Sequence, residues 1–271
     1  MMHILLLGTC CDAKRSHLCA PSSCGEIQNI SYPFRLKSDP KSCGHPEYEL
    51  ACEKDRTVLY LFAGRYYVKS IRYYKYLNEE SFSGFITVVD DGLQKGNCSS
   101  LPRYSLAYSD FENSISPYFP TSPGPYDQDR ETAMMVNFVK CSQPVACAQY
   151  IDSKPCIEGA HSADMPLDVS QMKRYSYALL GYIRYFNDLI VKDIKDSCTL
   201  TMMSFATDYS QAWKDGQCNS GNSSYMDLHN MMAEGFTLQY QGLHVVDRAF
   251  RFCFLGSRYR RKGCDYYNVR K

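Results

Sequence analysis

The sequence has one tryptophan, no C-x-x-C pair and no apolar run long enough to cross a bilayer. It also lacks a net charge of consequence, with 30 Lys and Arg against 29 Asp and Glu. Each absence excludes something. A net charge of +1 gives no global attraction to nucleic acid or to an anionic membrane, so an acidic ligand would need a local basic patch. A membrane span needs ~18–20 apolar residues, and the best stretch, 175–186, is shorter and carries Arg184. A kinase needs a Gly-rich loop, a catalytic aspartate and a metal-binding aspartate, yet no G-x-G-x-x-G, H-R-D or D-F-G occurs. No G-x-S-x-G marks a serine nucleophile. The six histidines are scattered, and the cysteine spacings suit bridges better than zinc, so no metal or other cofactor is expected. Adjacent acid pairs Glu79/Glu80 and Asp90/Asp91 do not suit a glycosidase, because strand neighbours point to opposite faces.

Fourteen cysteines and 23 tyrosines are what the sequence has in quantity. Short β-branched and aromatic runs favour strands, and cysteine at this level supplements a core that 271 residues can bury. The fold class expected is mainly β: disulfide-rich antiparallel sheets with one or two short helices. Asn29, Asn97 and Asn222 each head an N-x-Ser sequon, which with the cysteines points to a glycosylated chain in an oxidising, extracellular setting. The start, Met1 to Cys11, reads as an abbreviated signal peptide without a basic n-region. Setting aside Cys10 and Cys11 with that leader, twelve cysteines could form six bridges: Cys19, Cys24, Cys43, Cys52, Cys98, Cys141, Cys147, Cys156, Cys198, Cys218, Cys253 and Cys264. Their pairing does not follow from sequence.

Cysteine, glycine and sequon are densest between Cys24 and Cys52. Cys24-Gly25 and Cys43-Gly44 make two matching steps, where glycine permits a positive φ beside a bridge. Tyr32-Pro33-Phe34 suits an edge or a strand start, since proline removes a backbone donor. This order of residues, Cys24-Gly25, Ile30-Ser31-Tyr32-Pro33-Phe34, Cys43-Gly44, Leu50-Ala51-Cys52, resembles the galacturonan-binding module of plant wall-associated receptor kinases. The nearer likeness is to the ectodomain of leaf-rust-resistance-locus receptor-like kinases, supported by Val58 to Leu61, Tyr66-Tyr67-Val68, Asn97-Cys98-Ser99, Asp193 to Cys198 and Ser224 to His229. It covers roughly residues 19–240 and fails beyond Phe236. The resemblance implies an ectodomain facing the cell wall, whose relatives continue into a membrane span and a kinase. Neither follows here, which implies a shortened receptor or a soluble, receptor-like binder.

Strands are expected over 57–62, 65–74, 85–89, 134–141, 175–183, 199–205 and 237–240. Along 66–75, strict alternation puts Tyr67, Lys69, Ile71, Tyr73 and Lys75 on one face and Tyr66, Val68, Ser70, Arg72 and Tyr74 on the other. Residues 78–84 read as a hairpin loop, and the prolines of 110–130 as a loop or linker. One or two helical turns are expected over 188–195. A helix over 225–233 is capped by Asn222-Ser223-Ser224 and stopped by Gly235. These readings divide the chain into a leader (1–18), a Cys-rich β module (19–112), a Pro-rich linker (113–133), a second Cys-containing β module (134–240) and a divergent basic tail (241–271).

Polygalacturonate carries a carboxylate on each unesterified sugar, so a reader needs spaced cations beside tyrosines. Arginine grips a carboxylate with paired hydrogen bonds, lysine offers a point charge, and tyrosine gives a flat face with a polar tip. The candidates are Arg35, Lys37, Lys41, Arg65, Lys69 and Arg72, with Tyr67 and Tyr73; Arg35 and Lys37 share a face by alternation. The expected partner is pectin or an oligogalacturonide, bound without turnover. The alternative is a module that recognises a protein or peptide ligand, or a co-receptor. Nucleic acid is not expected as a partner, and a membrane only through the missing transmembrane segment.

Overall fold

The computed structural model describes residues 19–75, 81–112, 114, 116–121, 132–147, 149–157, 175–182, 194–208 and 224–243. The expected leader, Glu79/Glu80, Asn222, Cys218, Cys253, Cys264, the tail beyond 243 and most of the helical turns expected over 188–195 lie outside them. In chain order the strands are β1 (Ser22–Cys24), β2 (Ile27–Ile30), β3 (Arg35–Leu36), β4 (Glu49–Glu53), β5 (Arg56–Leu61), β6 (Gly64–Lys75) and β7 (Ser81–Asp90), then β8 (Tyr118–Pro120), β9 (Thr132–Cys141), β10 (Tyr150–Asp152), β11 (Tyr175–Tyr182), β12 (Cys198–Asp208) and β13 (Phe236–Leu243). Among the described residues three short α-helices accompany them: α1 (Tyr108–Glu112), α2 (Lys154–Ile157) and α3 (Tyr225–Glu234). The protein is mainly β, as its cysteine, tyrosine and β-branched content requires.

The strands form three sheets: β1-β2, a four-stranded β10-β11-β9-β12, and a seven-stranded β3-β4-β5-β6-β7-β13-β8. All pairings are antiparallel except β3 with β4. Lys54 and Asp55, at φ 48° and 59°, make the two-residue turn between β4 and β5, a geometry that matches the twist of the flanking strands. β13 inserts between β7 and β8, pairing Phe236–Leu243 against residues 81–88. The boundary expected at 113–133 is therefore not a spatial one: β8 lies inside that stretch, and a strand from the second half completes the first half's sheet.

The main core lies on the inner face of the large sheet, where Leu59, Tyr66, Val68, Ile86, Val88, Leu238 and Tyr240 meet Phe34, Tyr48 and Phe111. Met135 and Phe205 of the second sheet join it, so one apolar cluster binds both sheets. Removal of such side chains from water is the main force holding the sheets together. On its other face the second sheet packs Met134, Val136 and Phe138 against Tyr225, Leu228 and Met232 of α3. That helix follows from its sequence: Ser224 Oγ accepts from Asp227 N (3.1 Å), Gly235 N donates to Met232 O (3.0 Å), and Tyr225, Leu228, His229, Met232 and Ala233 make a buried stripe.

Among the described residues four disulfides have both partners placed: Cys19–Cys43, Cys24–Cys52, Cys98–Cys156 and Cys141–Cys198. Cys147 is disulfide-bonded as well. The two Cys-Gly steps use glycine for different reasons. Gly25 has φ +55° and a Cβ there would lie 2.1 Å from Asp55 O. Gly44 is extended (φ −159°), contrary to the expected left-handed turn, and is needed because a Cβ would lie 2.7 Å from Arg35 Cβ and 2.9 Å from Pro33 O.

Candidate functional site

The outer face of the large sheet, away from the main core, carries a ladder of cations and tyrosines. Alternation on β5 puts Arg56, Val58 and Tyr60 on that face, and the register sets Val58 opposite Tyr67 and Tyr60 opposite Arg65. Tyr67 thus lies between Arg56 and Arg65 along the strand direction, with guanidinium carbons 3.2 and 4.8 Å from its ring centre. Both contacts are cation–π interactions, and they hold two arginines in place over one ring. Lys37 Nζ stands 4.9 Å from the centre of the Tyr60 ring, which is half exposed.

Glu53, from the end of β4, ties the ladder together. Its carboxylate accepts from the Tyr60 hydroxyl (2.5 Å) and from Arg65 Nε and Nη2 (3.2 and 2.8 Å). Arg65 Nη1 reaches Asp91 at 3.0 Å, and Arg103 Nε lies 3.1 Å from the same carboxylate. The Tyr60 bond, then Arg65, holds the Glu53 carboxyl below the usual carboxylate range, while the same bond to Glu53 pushes the Tyr60 phenol up. Hydrogen bonding to Tyr67, then to Glu53, reinforces the charge on Arg65. Arg65 is therefore neutralised within the protein. Arg56 and Lys37 form no ion pair with any described residue, although the nearby charge of Lys37 adds to the effects that lower the Glu53 carboxyl.

A second group lies further along β6. The register slips between Val68 and Ser70, so one extra residue is accommodated as a β-bulge. Before the bulge Tyr66 and Val68 face the core; after it Ile71 and Tyr73 do, opposite Ile86 and Gly84, and Arg72 and Tyr74 point outward with Tyr67. The strict alternation expected over 66–75 fails for this reason, since a one-residue slip exchanges the two faces. Arg72 stands over Phe85 (5.3 Å), and Tyr74 meets the same ring edge-on at 5.5 Å.

The structure thus separates the candidate residues. Lys37, Lys69 and Arg72 are exposed on or beside the large sheet; Lys41 is exposed in the 3-10 turn after β3. Tyr67 is half-buried, with its ring occupied by the two arginines. Tyr73 instead packs against Phe34, and its hydroxyl accepts from Ser31 N (3.1 Å). Arg35 is 5% exposed, paired with Glu49 and donating from Nη1 to Leu36 O (3.3 Å). It does not share an exposed face with Lys37, because β3 ends at Leu36. Arg56 and Tyr60 escaped the sequence reading. Their signal was the i, i+4 spacing on one strand face, interpretable only once β5 is registered against Tyr67 and Arg65.

Asn29 and Asn97 are both exposed, and the Asn97 side-chain oxygen accepts from Ser99 Oγ at 2.6 Å. Asp90 accepts from the backbone N–H groups of Gly92, Arg103 and Tyr104, fixing the loop after β7; burial raises its carboxyl above the usual range despite those bonds. Among the described residues no group of three or more His, Cys, Asp or Glu could hold a metal, and no helix is long and apolar enough to cross a membrane.

The described residues thus form a bridged β module with an ordered face of cations and tyrosines. Residues 19–79 match the family described as wall-associated receptor kinase galacturonan-binding. The chain is also 41% identical over 58 residues to a leaf rust 10 disease-resistance locus receptor-like protein kinase-like protein (1.2) of Arabidopsis thaliana. That stretch is 20% of this chain and 9% of the relative, so the likeness spans a small part of a much longer protein. No solved structure matches. β1 to β6, with Lys37, Glu53, Arg56, Tyr60, Arg65 and Tyr67, all begin and lie within the matched residues.

Proposed function

We propose that this protein binds acidic cell-wall polysaccharide, pectic galacturonan, outside the cell and without turning it over, at the outer face of the large sheet. The observation that carries the reading is the pair of cations without an ion pair among the described residues, Arg56 on Tyr67 and Lys37 on Tyr60, held at the two ends of one ladder. Arg56 is positioned by its ring, so a sugar carboxylate meets a guanidinium already oriented for it. Tyr60 offers its half-exposed ring to the sugar between them. Arg65 and Glu53 act as the frame, and Arg35 as part of the fold. The disulfides and the two exposed sequons support an oxidising, extracellular setting, with Asn29 and Asn97 as glycosylation sites.

The test is calorimetric titration of the folded chain with a defined oligogalacturonide. Loss of a charge-assisted hydrogen bond costs about 1.5–3 kcal/mol, so Arg56→Gln should weaken binding by roughly ten- to a hundredfold at unchanged melting temperature. Lys37→Gln, which removes a point charge, should cost less. Unchanged affinity in both variants, or saccharide-independent capture of a protein ligand that needs neither residue, would overturn the assignment.

A further inference from the structure

Asn29 stands at a break in the alternation of β2. Strict alternation along Ile27–Ile30 would place Ile27 and Asn29 on one face and Gln28 and Ile30 on the other. Instead both isoleucines are buried, while Gln28 and Asn29 are exposed. The left-handed φ of Asn29, +60°, makes the change, and asparagine is one of the few residues that adopts it at low cost. The asparagine of a sequon is thereby turned outward between two side chains that face the core. The rest of that sequon is tied to a ring on β6, the strand that β2 lies against. Ser31 N donates to the Tyr73 hydroxyl (3.1 Å), and Ser31 Oγ donates to Asn29 O (3.3 Å). Tyr73 meets Phe34 edge-on at 6.1 Å, yet 38% of it remains open to water. A sugar on Asn29 therefore starts two residues from the point where this ring is anchored. The surroundings of Asn97 are polar by comparison: its side chain is held by Ser99 and by Gln94 Oε1 (3.1 Å).

We infer that the N-acetylglucosamine carried by Asn29 packs its apolar ring face against the exposed part of Tyr73, so that this glycan is a structural part of the junction between β2 and β6. The inference rests on the glycosylated, extracellular setting given under Proposed function. Attachment is a displacement: Asn29 Nδ2 bonds to the anomeric carbon of the sugar, a lipid-linked diphosphate leaves with the bonding electrons, and one Nδ2 proton is lost to base. The occupant follows from chemistry. One face of a pyranose presents C–H groups, and a tyrosine ring offers a flat apolar surface to cover them while its hydroxyl stays hydrogen-bonded. Tyr73 reads from sequence as a contact for an outside saccharide; its place beside Ser31 gives it the chain's own sugar instead.

The experiment uses the full chain secreted from a eukaryotic host and trimmed by endoglycosidase to a single isotope-labelled N-acetylglucosamine at each occupied site. Peptide mass spectrometry reads which asparagines carry it, and Asn29→Asp, by deleting one set of signals, assigns the Asn29 sugar in the NMR spectrum. The expected result is an upfield ring-current shift of the sugar protons at Asn29, absent from those at Asn97 and lost in Tyr73→Leu. Asn29→Asp also keeps a residue that tolerates the left-handed backbone, so its effect on melting reports the sugar. It should lower Tm by about 2–4 °C in the native chain and change it little in the Tyr73→Leu background. Unshifted sugar protons at Asn29, a reading that needs no variant of Tyr73, would overturn the inference, as would an equal loss of Tm with and without that ring. An Asn29 that leaves the host bare overturns the inference together with its glycosylation; titration of the same preparation with polygalacturonate then shows separately whether the saccharide-binding assignment stands.

Discussion

Replacing Arg35 with glutamine separates the fold from the binding face. Arg35 lies among the matched residues and reads from sequence as a ligand cation, yet its side chain is 6% exposed and paired with Glu49, which is 31% exposed. The substitution removes the pair with Glu49 and the contact with Leu36 O, and leaves Glu49 without its cation. Breaking a fully buried pair costs about 3–5 kcal/mol. Water can reach the partly exposed Glu49 carboxylate, which brings the expected loss down to about 2–3 kcal/mol. For a chain of this size that lowers Tm by about 5–10 °C, read by calorimetry or tyrosine fluorescence. Replacing both partners, as in Arg35→Met/Glu49→Leu, should recover most of it, because no uncompensated charge remains. Oligogalacturonide affinity, measured well below the melting transition, should be unchanged. If Arg35→Gln melts within a degree of the native chain and loses the saccharide, Arg35 is a ligand residue and the burial argument is refuted.

His229 is buried in α3, with Nε2 2.9 Å from Ser100 Oγ and 3.1 Å from Ser100 O, and burial lowers its pKa. A depressed histidine favours the neutral folded form, so its contribution is present above the unfolded value of about 6.5 and is lost as pH falls through the folded one. Urea titrations from pH 7.5 to 5 should show that loss in the native chain and a flatter profile in His229→Gln; parallel profiles would sink this account. Cys98–Cys156 closes a loop of 58 residues between the region after β7 and α2. Chain entropy assigns such a bridge about 4 kcal/mol, so Cys98→Ser/Cys156→Ser should melt clearly lower, and an unchanged denaturation midpoint would refute the pairing. Gly25→Ala places a Cβ against Asp55 O at φ +55°, and a loss of about 2–4 kcal/mol is expected; a neutral effect would mean that the β4–β5 turn yields freely.

Much of the architecture was legible because it is local. The helix over 225–233 announced itself through its Ser224 cap and Gly235 stop, and the strands through runs such as Met134 to Cys141. What escaped depends on contacts distant in sequence. The capture of β13 by β7 joins residues about 150 apart, and neither strand alone says which partner it takes. The bulge at Val68–Ser70 leaves no Gly or Pro to mark it, so alternation misassigned Arg72 and Tyr73. Arg35 reads like any strand cation until Gly44 and Glu49 are seen closing around it. Arg56 becomes notable only when Tyr67 lies across from its neighbour Val58.

The most direct test of the whole account is binding of the chain to polygalacturonate as a function of salt and of methyl esterification. A face that reads carboxylates through Arg56 and Lys37 should lose affinity steadily as ionic strength rises and screening sets in, and should bind the fully esterified polymer weakly at any salt. Equal binding of esterified and unesterified polymer, insensitive to salt, would contradict it.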